Sequence, residues 1–215
     1  MNEPICPLCR SVITSGIDQK AHKRKYHHCE VCDLIFMDKS DLPDMDSEKE
    51  RYLLHNNSGN NEGYVHFLKQ AIDPVEYFMD KSMRILDYGC GPNPVLSEIL
   101  VSRGFHCDLY DPFFFPEWPQ KKYELIFATE CFEHFFEPKS EISNILKLLS
   151  ENGTLVVMTE FWKDNEHFKS WYYVRDFTHV CFYHLNTIYY IEQKYGMKIV
   201  YTDHQRLVIF RKVQI

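Results

Sequence analysis

The 215-residue chain has no stretch approaching eighteen uncharged apolar residues, and its first residues, Met1 to Pro7, carry no apolar core of the kind that directs secretion. Neither a membrane span nor export is therefore expected, and the reading is a cytoplasmic protein with no membrane partner. It also lacks an excess of positive charge. A net charge of −7 argues against a globally basic nucleic-acid binder, although a local patch could still serve. At this length, with 45% hydrophobic residues, one substantial α/β core can be buried but not two. One main domain with a small appendage is expected.

Eight cysteines are present, and they fall into two groups. Cys6-x2-Cys9 and Cys29-x2-Cys32 stand nineteen residues apart, the spacing of a zinc site built from two knuckles and four thiolates. About forty residues cannot bury enough apolar surface to fold alone, so a tetrahedral Zn2+ joining two turns would replace the missing core. Disulfides do not suit a reducing compartment, and a redox pair needs only one Cys-x-x-Cys. Cys90, Cys107, Cys131 and Cys181 are scattered and read mostly as small buried hydrophobes. Residues 1–40 are thus a zinc ribbon, with Tyr26 to Cys29 and Leu34 to Met37 as short strands. Between its knuckles lies the one basic cluster, Lys20 to Lys25, either a solvated loop or a phosphate contact.

The most informative stretch is Ile85-Leu86-Asp87-Tyr88-Gly89-Cys90-Gly91-Pro92, an apolar strand ending in an acid and a Gly-x-Gly turn. Glycine lets the backbone turn at positive φ and lets bare N–H groups approach a ligand. A carboxylate at the mouth of that turn would repel a dinucleotide pyrophosphate and attract the cationic amino group of S-adenosylmethionine (SAM). Twenty residues after Gly91 comes Asp111, ending the strand-like run His106 to Tyr110 and placed to accept hydrogen bonds from both ribose hydroxyls.

Asp87 to Pro92, Asp111 and the run Tyr123 to Pro138 together resemble the class I SAM-dependent methyltransferases. The third run, with Glu130, Glu133, His134 and Pro138, is especially similar to the ubiquinone-biosynthesis O-methyltransferase branch. The resemblance covers roughly residues 84–160 and, more loosely, the C-terminal end. It implies a SAM site made by Asp87, Gly89, Cys90, Gly91, Asp111, Pro112, Phe113 and Thr129. Glu130, Glu133 and His134 would share one face of a helix as a divalent-metal or acid/base constellation, or else Glu133 and His134 simply brace the loop.

The expected fold is α/β, a Rossmann-like doubly wound sheet. Its elements are a strand at 84–88, a helix near 94–103, strands at 106–110 and 123–128, a helix near 138–150, a strand at 154–159, a helix near 185–195 and strands at 197–202 and 206–212. Only Asp203, His204 and Gln205 join the last pair, too few for a parallel crossover, so it is an antiparallel hairpin. Asn93-Pro94 stands where the family often has a third glycine, and Pro94 suits the first turn of a helix. Eleven residues between Asp111 and Tyr123 leave no room for a third strand with its flanking helices, which is therefore missing or vestigial. In its place Pro112 to Trp118 either walls the adenine or covers the sheet edge.

The resulting division is a zinc ribbon over 1–40, a linker and helical lead-in over 41–82 broken by Pro74, and a methyltransferase domain over 83–215. Residues 160–184, crowded with aromatics, form a lid for a planar or amphipathic acceptor, or else a packed subdomain or dimer contact. His179 within it is the candidate base, beside His134 and Glu133. Methyl transfer to a small organic acceptor leads. The competing readings are an RNA methyltransferase guided by the ribbon and a noncatalytic SAM-binding adaptor. An NAD-dependent dehydrogenase fits least.

Overall fold

The computed structural model describes residues 3–13, 19–54 and 59–213. Two matching knuckles open the chain. In each, the residue four past the first cysteine sends its N–H back to that cysteine's carbonyl, Arg10 to Cys6 at 3.0 Å and Asp33 to Cys29 at 2.7 Å. Both residues take the left-handed conformation this closure requires, at φ 68° and 54°. Between the knuckles run β1 (Gln19–Ala21) and β2 (Arg24–His28), joined by His22 and Lys23 at positive φ in a tight hairpin, followed by β3 (Ile35–Met37).

The linker and helical lead-in expected over 41–82 opens with α1 (Met45–Leu53). Its composition is polar, but Asp44 caps the helix by accepting the Ser47 N–H at 2.8 Å, and Asp46 and Glu48 complement the dipole in the first turn. Next comes α2 (Glu62–Glu76), in which Pro74 sits inside the last turn instead of breaking the helix.

The main sheet is built from β4 (Ile85–Tyr88), β5 (Cys107–Tyr110), β6 (Tyr123–Thr129), β7 (Leu149–Met158), β9 (Met197–Thr202) and β10 (Leu207–Lys212). The helices α3 (Val95–Ser102), α4 (Pro138–Leu148), α5 (Asn165–Ser170) and α6 (Leu185–Lys194) alternate with them, and the two-residue β8 (Cys181–Phe182) precedes α6. Strand order is β5-β4-β6-β7-β10-β9, with the first four parallel and β10 antiparallel to both neighbours. The α/β fold with a terminal hairpin is as expected. No strand lies outside β5 among the described residues, and only an isolated Asp111–Phe115 bridge follows it.

Strand alternation sorts the core into two layers. Ile85, Leu125, Phe127, Val156, Met158 and Ile209 pack with α2 and α3. Leu86, Ile126, Leu155, Val157, Val208 and Phe210 face the other way, toward α4 and α6. This second layer does not stop at the domain boundary. It runs on through Phe168, Trp171 and Phe182 into Tyr26, Leu34 and Cys29 of the ribbon.

Residues 160–184 are what joins them. Phe161, Trp162, Phe168, Trp171, Tyr173, Phe182 and Tyr183 are all buried, and β8 adds a fourth strand to the ribbon by pairing with β3 (Ile35–Phe182 and Phe36–Cys181). The aromatics therefore fill the junction between the ribbon and the sheet, the packed arrangement weighed against a lid; Tyr172 is the exposed aromatic.

Phe182 lies at the centre of this junction, its ring 5.1 Å from Phe168 and 5.7 Å from Tyr26, and is 1% exposed. Phe182→Ala should cost about 3–5 kcal/mol. Denaturant titration should lower the ribbon and sheet signals together, as one transition, because both share the lost contacts.

Candidate active site

The parallel strands β4, β5 and β6 end on one side of the sheet, where their following loops enclose a cavity of about 640 Å3. Gly89 and Gly91 form its floor at φ 75° and 65°. A Cβ at Gly89 would stand 2.6 Å from the Cβ of Cys131, whereas one at Gly91 would meet nothing within 4 Å and would occupy the cradle itself. The turn is pinned to β5, since the Tyr110 carbonyl accepts the Gly89 N–H at 2.8 Å.

Asp111 then closes the floor. One carboxylate oxygen accepts the Gly91 N–H at 3.0 Å, and the other accepts those of Phe113 and Phe114 at 2.9 and 3.1 Å. Three backbone donors thus hold a single acid at the cavity wall. Cys90, Pro112, Phe113 and Thr129 also line the cavity. The Pro112 to Trp118 segment divides its work: Phe113 faces the cavity, with its ring 5.7 Å from Tyr52, while Trp118 packs edge-on against Tyr110.

Asp87 is placed differently from the expectation. It is 2% exposed and not among the cavity-lining residues, because it alternates with Leu86 and Tyr88 and so faces α3. There it accepts a backbone hydrogen bond from Ser97, in the first turn of a helix whose N-cap, Pro94, supplies no side-chain acceptor. Asp87 thus does the capping that Pro94 cannot. Burial raises its pKa to about 7, with repulsion from Asp111 adding and the Ser97 bond opposing.

The far wall comes from the loop after β6 and from His179. Glu130 opens the loop in the left-handed region at φ 50°, an uncommon position for a side chain of this size. Phe132 to His134 then form a single 3-10 turn, not an α-helix, so Glu130, Glu133 and His134 do not share a helical face. The structure instead brings Glu133 and His134 to His179, with one ligand-capable atom from each within 4.8 Å of the others. His134 Nδ1–H donates to the Thr178 carbonyl at 2.9 Å, and His179 Nδ1–H donates to the Tyr173 carbonyl at 2.7 Å. Both rings therefore keep Nε2 as the lone-pair nitrogen when neutral. Burial pulls His179 down to about 4, with His134 adding and Glu133 opposing.

Glu133 is fully buried, and the Tyr173 hydroxyl donates to its Oε1 at 2.6 Å. Its Oε2 is buried with no hydrogen-bond partner among the described residues. A buried carboxylate with one unpartnered oxygen, clustered with two histidines that each keep an uncommitted ring nitrogen, is a donor set that suits a divalent cation. Glu130 has its carboxyl pKa raised well above the usual range by burial and by Glu133.

The four ribbon cysteines form a separate cluster. Their sulfurs all lie within 4.8 Å of one another, at 3.6 Å for Cys6–Cys32 and 3.4 Å for Cys9–Cys29. A tetrahedral ion with bonds of about 2.3 Å would place sulfurs about 3.8 Å apart, so the set fits zinc with small adjustment.

The sequence matches a family model described as a methyltransferase domain over residues 62–202. The chain belongs to this methyltransferase domain family. The match takes in the Gly-x-Gly turn, Asp111 and the Glu133, His134 and His179 cluster, and leaves out the ribbon and α1. Among solved structures, the YcgJ protein of Bacillus subtilis is similar in fold, with 12% identity over 70% of this chain and 99% of that one and a TM-score of 0.52. A Bacillus halodurans protein described as a methyltransferase is similar at 13% identity over 68% of this chain and 99% of that one, with a TM-score of 0.50. No curated protein matches in sequence.

Several residues of the methyltransferase domain site carry no motif. Glu48 and Tyr52 of α1 line the cavity, where the Tyr52 hydroxyl donates to Glu48 at 2.5 Å and its ring lies edge-on to His134 at 5.1 Å. Tyr64 of α2 also lines it. Burial, reinforced by Asp87 and Glu130, raises the Tyr64 phenol pKa. In the sequence Tyr52 and Tyr64 look like ordinary core aromatics, and Glu48 sits in a polar run. Only their common position over the strand ends gives them away.

Asp87 yields a pH test. Its folded pKa lies above the usual 3.8, so its contribution to stability is fullest below about pH 4 and declines as pH rises toward about 7. Asp87→Asn keeps an oxygen for the Ser97 N–H and cannot ionise. In ligand-free protein its melting temperature should match the wild type near pH 4, exceed it increasingly up to pH 7, and then hold a constant lead.

Proposed function

We propose that this methyltransferase domain transfers the methyl group of S-adenosylmethionine to a small organic acceptor that is neutral or cationic. What carries the reading is one cavity that joins an acid-anchored glycine cradle to the Glu133, His134 and His179 cluster. The cradle would take the adenosyl part. Asp111 is the acceptor for ribose hydroxyls, Phe113 and Pro112 wall the base, and Thr129 and Cys90 border the methionine end. Asp87 acts from beneath, holding the α3 N-terminus through the Ser97 N–H.

The acceptor class follows from charge. Glu48, Asp111, Glu130, Glu133, Glu137 and Glu141 line the cavity, and no lysine or arginine does among the described residues. Such walls favour a sulfonium, an ammonium or a divalent cation and repel phosphate. The RNA reading loses support for a second reason. Arg24, in the basic cluster, turns inward to donate to the carbonyls of Val174 and Arg175 and to the Tyr26 hydroxyl. A cavity of about 640 Å3 suits a cofactor with a small partner.

In the reaction, a lone pair on the acceptor attacks the methyl carbon, the carbon–sulfur bond breaks toward sulfur, and the acceptor's proton leaves. A divalent cation at Glu133, His134 and His179 would supply Lewis acidity toward an acceptor hydroxyl. The chain's own residues align the partners. Thr178 and Tyr173 carbonyls fix the two imidazoles, the Tyr173 hydroxyl fixes Glu133, and Tyr52 closes the wall beside His134. Where no cation intervenes, the Nε2 atom of either histidine is the proton acceptor. The run from Glu130 to Pro138 further supports kinship with the ubiquinone-biosynthesis O-methyltransferases. The ribbon takes structural zinc on Cys6, Cys9, Cys29 and Cys32.

Calorimetry with S-adenosylhomocysteine should detect binding that Asp111→Ala weakens at least about tenfold, the loss of charge-assisted hydrogen bonds. Labelled SAM, incubated with the protein and separated cell extracts, should mark the small-molecule fraction and not RNA. Glu133→Gln should abolish labelling with S-adenosylhomocysteine affinity kept within about threefold. Absence of binding to the wild type would end the proposal.

A further inference from the structure

The segment Thr178–Val180 holds every member of the reaction-side cluster at once. The Thr178 carbonyl orients the His134 ring, His179 supplies its own, and the Val180 N–H donates to the Glu133 carbonyl at 2.8 Å. The other side of this segment belongs to the ribbon. The Val180 carbonyl accepts the Met37 N–H of β3 at 2.8 Å, and β8, which follows directly, pairs with Ile35 and Phe36.

From β3 the path leads straight to the thiols. The Leu34 carbonyl accepts the Cys29 N–H at 2.9 Å. A second tie lies one residue past Cys32, where the Asp33 carbonyl accepts the Trp162 indole N–H at 3.0 Å and its carboxylate accepts the Asn186 amide at 2.7 Å. Tyr26 of β2 packs against Phe168 and Phe182. The indole bridge is half-buried and the three packed rings are buried, whereas the Asn186 bond is exposed. A segment bonded on one side to β3 and on the other to the turn after β6 cannot keep its position if the ribbon sheet comes apart.

We infer that the four-cysteine ribbon is a positioning element of the reaction site: closure of the knuckles fixes β3, β3 fixes Thr178–Val180, and that segment sets His179, His134 and Glu133. This rests on reading those three residues as the reaction-side cluster. It gives the ribbon a task other than recruiting a substrate or partner. It also couples the two ends of the molecule, since loss of the ribbon metal or oxidation of its thiols would loosen the cluster while leaving the glycine cradle intact on β4 and β5.

The test uses the full chain, zinc-loaded and then stripped with an organomercurial, in two measurements. Hydrogen exchange follows the Val180 amide against amides of β4 and β6. Paramagnetic resonance follows Mn2+ binding, because manganese prefers carboxylate and imidazole to thiolate. On stripping, Val180 should lose protection at least about tenfold, as local opening replaces a closed register. Mn2+ affinity should fall about 10–100-fold, as when supporting groups behind metal ligands are removed. S-adenosylhomocysteine affinity should stay within about threefold, which certifies that the cradle is still folded. Should stripping unfold the chain, Trp162→Phe keeps all four thiols and the ring packing and removes one tie; it should loosen Val180 several-fold with cradle affinity held. Unchanged Val180 protection in a protein that still binds S-adenosylhomocysteine overturns the inference. If intact protein ignores Mn2+ while Val180 still responds to stripping, the cation part of the functional reading falls and the coupling stands.

Discussion

Glu133 is a carboxylate from which water has been removed entirely, and the architecture around it answers that single cost. An isolated buried charge is penalised by several kcal/mol even after relaxation. Tyr173 relieves one oxygen, the other has no partner among the described residues, and the two imidazoles clustered with the carboxylate have their Nδ1 atoms committed to carbonyls. A site of this kind has a deficit of positive charge built into it. It is most stable when a cation or a positively charged reactant arrives, and it is rigid before that happens because every ring has only one satisfied orientation.

The same deficit extends over the cavity and separates its two halves by role. Around the cradle, three backbone N–H groups hold Asp111, so that acid fixes the turn as well as lining the cavity. Around Glu130, Glu133 and Glu48 no backbone or lysine performs that service among the described residues, apart from the distant pull of Arg206 on Glu130 and of His134 on Glu48. Carboxyl groups therefore crowd the side where a methyl sulfonium and its acceptor would meet, with burial pushing Glu130 and Glu48 toward their neutral forms and a bound cation able to draw them back. With a sulfonium donor, bond breaking would yield a neutral thioether, so an anionic wall would also favour the donor's ground state. Alignment and exclusion of water would then have to supply most of the acceleration.

Which parts of this were legible in the sequence follows from how local each constraint is. Gly89 and Gly91 are needed where the turn goes left-handed, Asp111 closes a strand, and the two Cys-x-x-Cys pairs bend the chain within five residues, so all could be read from spacing alone. Asp87 was legible in principle: its alternation with Leu86 and Tyr88 already assigns it to the α3 face, although its acidic chemistry suggests a ligand contact. α1 was hidden because its stability comes from a cap and a dipole and not from an apolar stripe. β8 could not be seen at all. It is two residues long, its partner strand lies about 145 positions earlier, and nothing in Cys181-Phe182 states a preference for Ile35 and Phe36 over any other edge.

That unreadable pairing decides what kind of appendage the ribbon is. A tethered module keeps its own core and meets its neighbour through a polar interface, as independent domains in one chain do. Here the apolar layer passes without interruption from Leu155 and Phe210 through Phe182 to Tyr26 and Leu34, and a strand of the methyltransferase domain completes the ribbon's sheet. A ribbon of about forty residues has too little surface to bury by itself, and the segment between β7 and α6 has too many aromatics to leave in water. Each solves the other's problem. Because the residues that do so are contiguous with His179, the solution to a folding problem and the geometry of the Glu133, His134 and His179 cluster are one structure.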